Sequence, residues 1–133
     1  MDGPMIELTI QTSSRIQAIN ITEQVRGVIR GKEGRLIHIY TPHTTCGLLI
    51  NEEADPDVIQ DIMGALERIA PSDYPYKHRE GNSDAHIKSV LTGASVSIPF
   101  SQGIPELGTW QGIFFMEFDG PRDRKVMVTL IEK

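Results

Sequence analysis

One helix-start signal, followed by a long amphipathic stretch, most constrains the fold of this chain. Asp55 is a suitable N-cap, Pro56 suits the first helical position, and Asp57 favours the positive end of the helix dipole. Apolar residues then recur at helical spacing from Val58 to Ile69, and Pro71 marks the end of the pattern. The sequence therefore predicts one long helix here.

Most of the remaining chain favours β-strands. Strands are predicted where apolar residues alternate with polar ones, or where Val, Ile, Phe and Thr are frequent, at 5–12, 35–40, 47–50, 94–100, 109–118 and 125–132. Two shorter helices are predicted: one has Thr22 as its N-cap and ends before Gly31, and the other is capped by Ser83 or Asp84 and runs to Gly93. We therefore expect residues 1–133 to form one compact, β-rich α+β domain. Its sheet is mixed or antiparallel, with one long helix and one or two short helices.

Composition and charge exclude several classes of function. The formal net charge of −5 argues against non-specific nucleic-acid binding, which needs a basic face. No apolar run approaches the roughly 20 residues of a membrane span, and Met1 to Pro4 lack the features of a secretory signal. The single cysteine, Cys46, rules out an intramolecular disulfide and is compatible with a reducing compartment. We therefore expect a cytoplasmic protein without nucleic-acid or membrane partners.

Three of the four histidines lie in polar, irregular segments. His43 lies in the run TPHTT, while His78 and His86 bracket a polar loop. Imidazole is a common zinc ligand, and three such ligands with an open position make a catalytic site. Spacing alone leaves two alternatives open, a shared metal site or three separate surface or hydrogen-bonded histidines. Cys46 stands three residues from His43, but such positions face opposite ways in an extended segment, so we expect a buried thiol.

Carboxylates and an amide are dense near these histidines. Asp55 and Asp57 are explained by helix capping, whereas Asn51, Glu52 and Asp84 have no equally good structural reason for their positions. Carboxylates can orient histidine ligands or act as acid and base. The sequence thus favours a polar site in which histidines and carboxylates act together.

Five runs of the chain form a more specific pattern. They are HTTCGLLINE from His43, DPDV from Asp55, EGNSDAHIKS from Glu80, GTWQGI from Gly108, and Glu117 with Pro121-Arg122. In this order and spacing they resemble the YjbQ-like family, also called the secondary thiamine-phosphate synthase family. The resemblance covers nearly the whole chain. It implies a homotrimer with a pocket near the subunit boundaries. We expect Trp110 to lie either in the core of the chain or in the trimer interface.

The resemblance also implies an activity. A thiamine-phosphate synthase joins a pyrimidine methyl pyrophosphate to a thiazole phosphate and releases pyrophosphate. A divalent metal on His43, His78 and His86, zinc first and magnesium as the alternative, would bind the diphosphate. The further residues expected to serve this reaction are Lys88, Thr109 and Arg122 as phosphate contacts, Asn51 and Gln111 as ring contacts, and Glu52 or Asp84 as orienting or proton-transfer groups. The alternatives are another metal-dependent activity on a phosphorylated metabolite, and a non-catalytic metal- or ligand-binding trimer.

Overall fold

A computed structural model describes residues 5–132 of the chain; residues 1–4, on which the expectation of no secretory signal rests, and residue 133 lie outside it. The described strands are β1 (Met5–Gln11), β2 (Gln17–Asn20), β3 (Leu36–Tyr40), β4 (Cys46–Glu52), β5 (Ser95–Ser101), β6 (Ile104–Pro105), β7 (Gln111–Glu117) and β8 (Asp123–Ile131). The helices are α1 (Thr22–Ile29), α2 (Pro56–Ile69) and α3 (Ser83–Thr92). The predicted α+β class, with one long and two shorter helices, is confirmed.

The long helix α2 begins as its sequence predicts. The Asp55 carboxylate accepts a hydrogen bond of 2.9 Å from the Asp57 N–H, and Pro56 occupies the first turn. The prediction for α1 needs a correction, because Thr22 is its first helical residue and not its cap. The Thr22 hydroxyl instead accepts the Ile113 N–H at 2.8 Å, which ties α1 to β7. In the described part of the chain, no helix has the length and apolar character to cross a membrane.

The strands form two antiparallel sheets. The larger sheet has the order β1-β8-β3-β5-β6, and the smaller sheet has the order β2-β7-β4. Every strand pairing between described residues is antiparallel. This is one of the two sheet types that the sequence predicts. The short strands β2 and β6 were not predicted, because four and two residues are too few to show an alternating pattern.

The smaller sheet lies between the larger sheet and the long helix. Leu48 and Phe115 of the smaller sheet share one apolar cluster with Val128 of the larger sheet. Phe114 and Met116, on the other face of β7, belong to a second cluster with residues of α2 and α3. Because both faces of β7 are covered, the strand is buried from Gly112 to Glu117. This arrangement places the carboxylate of Glu117 in the interior of the protein.

Helix α3 buries polar residues and exposes apolar ones. Asp84, Lys88 and Ser89 are buried, whereas Val90 is 82% and Leu91 is 52% exposed. The Ser89 hydroxyl donates to the Cys46 carbonyl at 2.6 Å, and the Gly93 carbonyl accepts the Leu48 N–H at 3.0 Å. These bonds fix α3 on β4 with its polar side inward. The predicted helix is therefore present, but the face that it buries is set by polar partners.

Candidate functional site

A polar cleft of about 360 Å³ lies where the β3–β4 loop, the α2–α3 loop and the turn before β8 meet. Its volume falls in the range of small-molecule sites. Its walls bring together residues that are far apart in the sequence: Pro42, His43, Thr44, Thr45, Glu80, Asn82, His86, Asp119, Arg122 and Arg124. Three of the predicted site residues, His43, His86 and Arg122, therefore line one cleft.

Arg124 is held in the cleft wall by a buried ion pair. Its side chain is 3% exposed, and its Nε and Nη2 donate to the two oxygens of Glu117, with an Nε–Oε1 distance of 2.9 Å. Nη2 also donates to the Thr45 hydroxyl at 2.9 Å. Such two-point guanidinium–carboxylate bonds fix the plane of the arginine. The position of Arg124 is therefore set before any ligand arrives.

Glu117 is the anchor of this pair. Its Oε1 also accepts the Thr12 hydroxyl at 2.8 Å, and its Oε2 accepts the Asp119 N–H at 3.0 Å. Burial alone raises the pKa of Glu117, but hydrogen bonds from Arg124, Asp119 and Thr12 outweigh it, so the pKa lies below its usual 4.5. Glu117 is therefore ionised at neutral pH, and its charge balances that of Arg124.

Arg122 is the second cation of the cleft and is more open to solvent. Its Nε donates to the Asp119 carbonyl at 2.7 Å, and its Nη2 lies 3.1 Å from an Asp119 carboxylate oxygen. The same oxygen accepts the Asn82 side-chain amide at 3.0 Å, which joins the α2–α3 loop to the turn before β8. The Arg122 side chain is 54% exposed, so part of its guanidinium remains free to meet a ligand.

His43 is oriented by the backbone. The Lys125 N–H donates to His43 Nε2 at 3.0 Å, so Nε2 carries a lone pair and Nδ1 carries the proton of the neutral ring. Burial, followed by the positive charge of Arg124, lowers the pKa of His43 from 6.5, while Glu117 opposes them. At neutral pH His43 is therefore an uncharged group with an N–H donor at Nδ1.

His86 lies at the junction of several clefts. It lines the polar cleft and two neighbouring clefts of about 490 and 440 Å³. Its ring meets that of His78 edge to face, with the ring centroids 5.6 Å apart. Since Asp84 and Lys88 share the buried face of α3, the intervening His86 lies on the outward side of the helix. The anchoring of α3 on β4 is therefore what brings His86 to the cleft.

The three histidines do not fit a metal in this arrangement. His43 Nε2 is occupied by the Lys125 N–H and Nδ1 is protonated, so neither nitrogen offers a lone pair. His78 lines a neighbouring cleft and not the polar one, with its Nε2 3.7 Å from a Glu80 oxygen. Among residues 5–132, no group of three or more His, Cys, Asp and Glu side chains is arranged to hold a metal ion. A zinc or magnesium cofactor stays a prediction, which metal analysis of the purified protein decides.

Two predicted site residues are buried in a separate ionic cluster, which is a correction. Lys88 has no exposed surface, and its ammonium donates to carboxylate oxygens of Glu67 and Asp84. Asp84 is 1% exposed and also accepts Arg15 Nη2, at 3.1 Å from each of its oxygens. Both groups are thus occupied in joining α3 to α2 and to the chain before β2. Lys88 is not available as a phosphate contact, nor is Asp84 as an acid or base.

Four other predicted site residues lie at the far end of the smaller sheet. Asn51 and Glu52 pair there with Gly112 and Gln111, whereas Cys46, at the cleft end of β4, pairs with Glu117. A strand advances about 3.3 Å per residue, so Asn51 is roughly 17 Å from Cys46. Thr109 lies just before Gln111, whose Oε1 accepts the Gly108 N–H at 2.8 Å. Within one chain, Asn51, Glu52, Thr109 and Gln111 do not join the histidine cleft.

Sequence reasoning missed Arg124, Asn82 and Asp119 as members of the cleft. One signal for the first was present, because Glu117 stands in the apolar run from Ile113 to Phe118. A carboxylate in such a run needs a cationic partner, and Arg124 follows beyond a Gly-Pro turn. Asn82 and Asp119 carry no comparable local signal, since polar residues are ordinary in loops.

The predictions for Cys46 and Trp110 have opposite outcomes. Cys46 is fully buried, and burial raises the pKa of its thiol from 9.0, so the prediction of a buried thiol is confirmed. Trp110 is 63% exposed and does not belong to the core of the chain. The other alternative for Trp110, a place in a trimer interface, stays a prediction.

The fold and the cleft define an α+β protein of two antiparallel sheets, with a polar small-molecule cleft beside the end of the smaller sheet. The family model described as UPF0047 protein YjbQ-like matches residues 6–133, and the chain belongs to this family. It is 47% identical to a UPF0047 protein of Methanocaldococcus jannaschii over 130 residues, or 96% of this chain and 94% of that one. It is 42% identical to the UPF0047 protein YugU of Bacillus subtilis over 127 residues, or 93% and 96% of the two chains.

A solved structure shares the fold over almost its whole length. An uncharacterized conserved protein of the same family from Clostridium acetobutylicum superposes with a TM-score of 0.90 at 49% identity. The match covers 95% of this chain and 99% of that one. The two chains therefore share one fold throughout the segment that contains the cleft.

The expected thiamine-phosphate synthase function is wrong. The two curated relatives carry only a family designation, and the Clostridium structure is described as uncharacterized. None of these descriptions contains a synthase activity or a metal. The alternatives that need a metal have no support from these descriptions either.

Proposed function

We propose that the polar cleft binds the phosphate group of a small molecule. The single observation that carries this proposal is that Arg122, Arg124 and His43, whose neutral ring carries its proton at Nδ1, line one cleft. Guanidinium groups and N–H donors are the groups that bind phosphate oxygens best. The ligand that fits them is an anion small enough for a cleft of about 360 Å³.

Prior orientation of the donors supports the proposal. Arg124 is fixed by Glu117, Arg122 by Asp119, and His43 by the Lys125 N–H. Donors held in place lose little side-chain entropy on binding, which favours affinity. The carboxylates of Asp119 and Glu80 on the same walls disfavour a ligand with several negative charges in a row. The proposed ligand therefore carries a single terminal phosphate and is not a polyanion.

His86 gives the cleft a group for proton transfer. It lines the same cleft as His43 and, in the described residues, its ring makes no hydrogen bond to protein. An imidazole with no hydrogen-bond partner in the protein is a suitable general acid or base for a reaction at a bound ligand. We propose that any chemistry at the bound phosphate ester uses His86 in this role, while His43 acts as a fixed donor. The proposal includes the homotrimer that the family resemblance implies and the cytoplasmic location that the composition favours.

The experiment is calorimetric titration of the protein with inorganic phosphate. Arg122→Ala is the test variant because the side chain is half exposed and its removal leaves the core intact. We expect about tenfold weaker binding, since a charge-assisted hydrogen bond of an exposed group contributes about 1.5 kcal/mol. Sodium acetate as a second titrant separates a phosphate site from a site for any anion.

Arg30→Ala is the matched control. Arg30 is an exposed arginine at the end of α1 that does not line the polar cleft. Its removal should leave the affinity for phosphate unchanged. The proposal fails if phosphate does not bind, or if the two arginine variants lower its affinity equally.

A further inference from the structure

We infer that the ligand of the polar cleft is a phosphate monoester of an apolar alcohol, and that its apolar part binds in a second cleft beside His86. This inference rests on the proposed function, because it names the class of molecule that carries the phosphate. The observation behind it is a cleft of about 490 Å³ beside the polar cleft, which takes no part in the proposed phosphate site.

The second cleft differs chemically from the polar one. It is lined by Tyr76, Lys77, His78, Ser83, His86 and Ile87. The aromatic ring of Tyr76, the side chain of Ile87 and the methylene groups of Lys77 provide apolar surface. No arginine belongs to its lining, and Lys77 supplies one ammonium group, so this cleft has fewer phosphate donors than the polar one. Its lining suits an apolar group of a ligand.

The two clefts are neighbours that share one wall residue, His86. The α2–α3 loop also runs along both, since Tyr76 and His78 line the apolar cleft and Glu80 and Asn82 line the polar one. A ligand with its phosphate among the arginines would place its apolar group in the second cleft by extending past His86. Small-molecule sites commonly combine apolar walls with a few polar groups in this way.

The apolar cleft is preformed. The Tyr76 hydroxyl donates to the Pro71 carbonyl at 2.7 Å, which fixes the tyrosine ring against its own loop. The edge-to-face contact of His78 with His86 holds two other lining residues against each other. Ile87 remains 37% exposed although it lies beside these fixed rings. Covering its side chain with an apolar group removes that surface from water, which favours binding.

The test compares phenyl phosphate with inorganic phosphate by calorimetric titration. We expect phenyl phosphate to bind about tenfold more tightly, the factor that roughly 55 Å² of buried apolar surface gives at about 25 cal/mol/Å². Ile87→Ser should reduce this ratio to about threefold or less. Leu91→Ser is the matched control, because Leu91 lies on the same helix, is exposed and does not line the clefts beside His86. It should leave the ratio unchanged.

Failure of the inference is distinguishable from failure of the proposed function. If inorganic phosphate binds but phenyl phosphate gains no affinity, the second cleft does not hold the apolar part and only the inference is overturned. If neither compound binds, the proposed function itself is wrong. A second measurement does not depend on any variant: the NMR signal of the Ile87 methyl group should shift with phenyl phosphate and not with inorganic phosphate. Equal shifts with both ligands would contradict the inference.

Discussion

Replacing Glu117 by Gln should destabilise the protein strongly, because it breaks the buried ion pair behind the cleft. Glu117 accepts four hydrogen bonds: two from Arg124, one from Thr12 and one from the Asp119 N–H. Glutamine has only one carbonyl oxygen. Its amide NH2 would take the place of the second carboxylate oxygen and would face N–H or O–H donors, with which it cannot form a hydrogen bond. Arg124 would remain buried without a countercharge.

The expected magnitude follows from this loss. Removing one partner of a buried pair costs about 3–5 kcal/mol, whereas a domain of this size has roughly 5–15 kcal/mol of stability in total. In urea unfolding followed by circular dichroism, a slope of about 2 kcal/mol/M converts the loss into a midpoint about 2 M lower. The folded protein should still be recovered in the absence of urea.

A surface pair provides the control. Glu23 and Arg26 form an ion pair of 3.1 Å on α1, with Glu23 78% exposed. Glu23→Gln should change stability by less than about 0.5 kcal/mol, since exposed pairs contribute little. The same carboxylate-to-amide change thus has a large effect only where the pair is buried.

The double variant Glu117→Leu with Arg124→Met tests the cause. If the cost of the single change comes from an uncompensated buried charge, removing both charges should restore most of the stability. The reasoning is refuted if Glu117→Gln costs less than about 1 kcal/mol. It is also refuted if the effects of Glu117→Leu and Arg124→Met simply add in the double variant, because additivity means that the two residues do not interact.

Two further predictions concern the cleft wall and the ionic cluster under α3. His43 should titrate below pH 6.5 in an NMR titration of the imidazoles, because burial and Arg124 lower its pKa. The contribution of the neutral His43 ring to the free energy of unfolding is therefore present above pH 6.5 and is lost as the pH falls towards the folded pKa. An NMR titration midpoint of His43 at or above 6.5 would contradict the effect of burial and Arg124. Lys88→Met should lower the free energy of unfolding by about 2 kcal/mol, because Asp84 loses one of its two cationic partners. Glu67→Gln, at a side chain that is 38% exposed, should cost less than about 1 kcal/mol in the same unfolding experiment, and equal costs would contradict this difference in burial.

The elements that were predicted well are those specified by local signals. The cap at Asp55 and the proline after it specify α2 whatever surrounds the helix. The position of α3 was also predicted, but its buried face was not. That face is determined largely by Arg15 and Glu67, which are distant in sequence, because Ala85 is the one buried apolar residue of the helix itself. The local sequence pattern thus predicts the position of a helix better than it predicts the face that the helix buries.

The candidate site shows the same limit. His43 and Asn51 are close in sequence and were assigned to one site. The extended strand β4 nevertheless carries Asn51 to the opposite end of the smaller sheet. Arg124, in contrast, is remote from His43 in sequence and lies in the same cleft wall. Grouping residues by sequence distance fails wherever a strand separates neighbours and a sheet unites distant residues.

The burial of β7 explains why the cleft has fixed cations. A strand covered on both faces cannot leave a carboxylate unpaired, so Glu117 requires a cation nearby, and Arg124 of β8, in the larger sheet, meets it. The turn between these strands then supplies Asp119, which holds Arg122. The segment from Glu117 to Arg124, which connects the two sheets, therefore provides both arginines together with the acids that orient them. Because these acids are part of the fold itself, the two guanidinium groups keep their positions without a ligand, and an arriving phosphate meets donors that need no rearrangement.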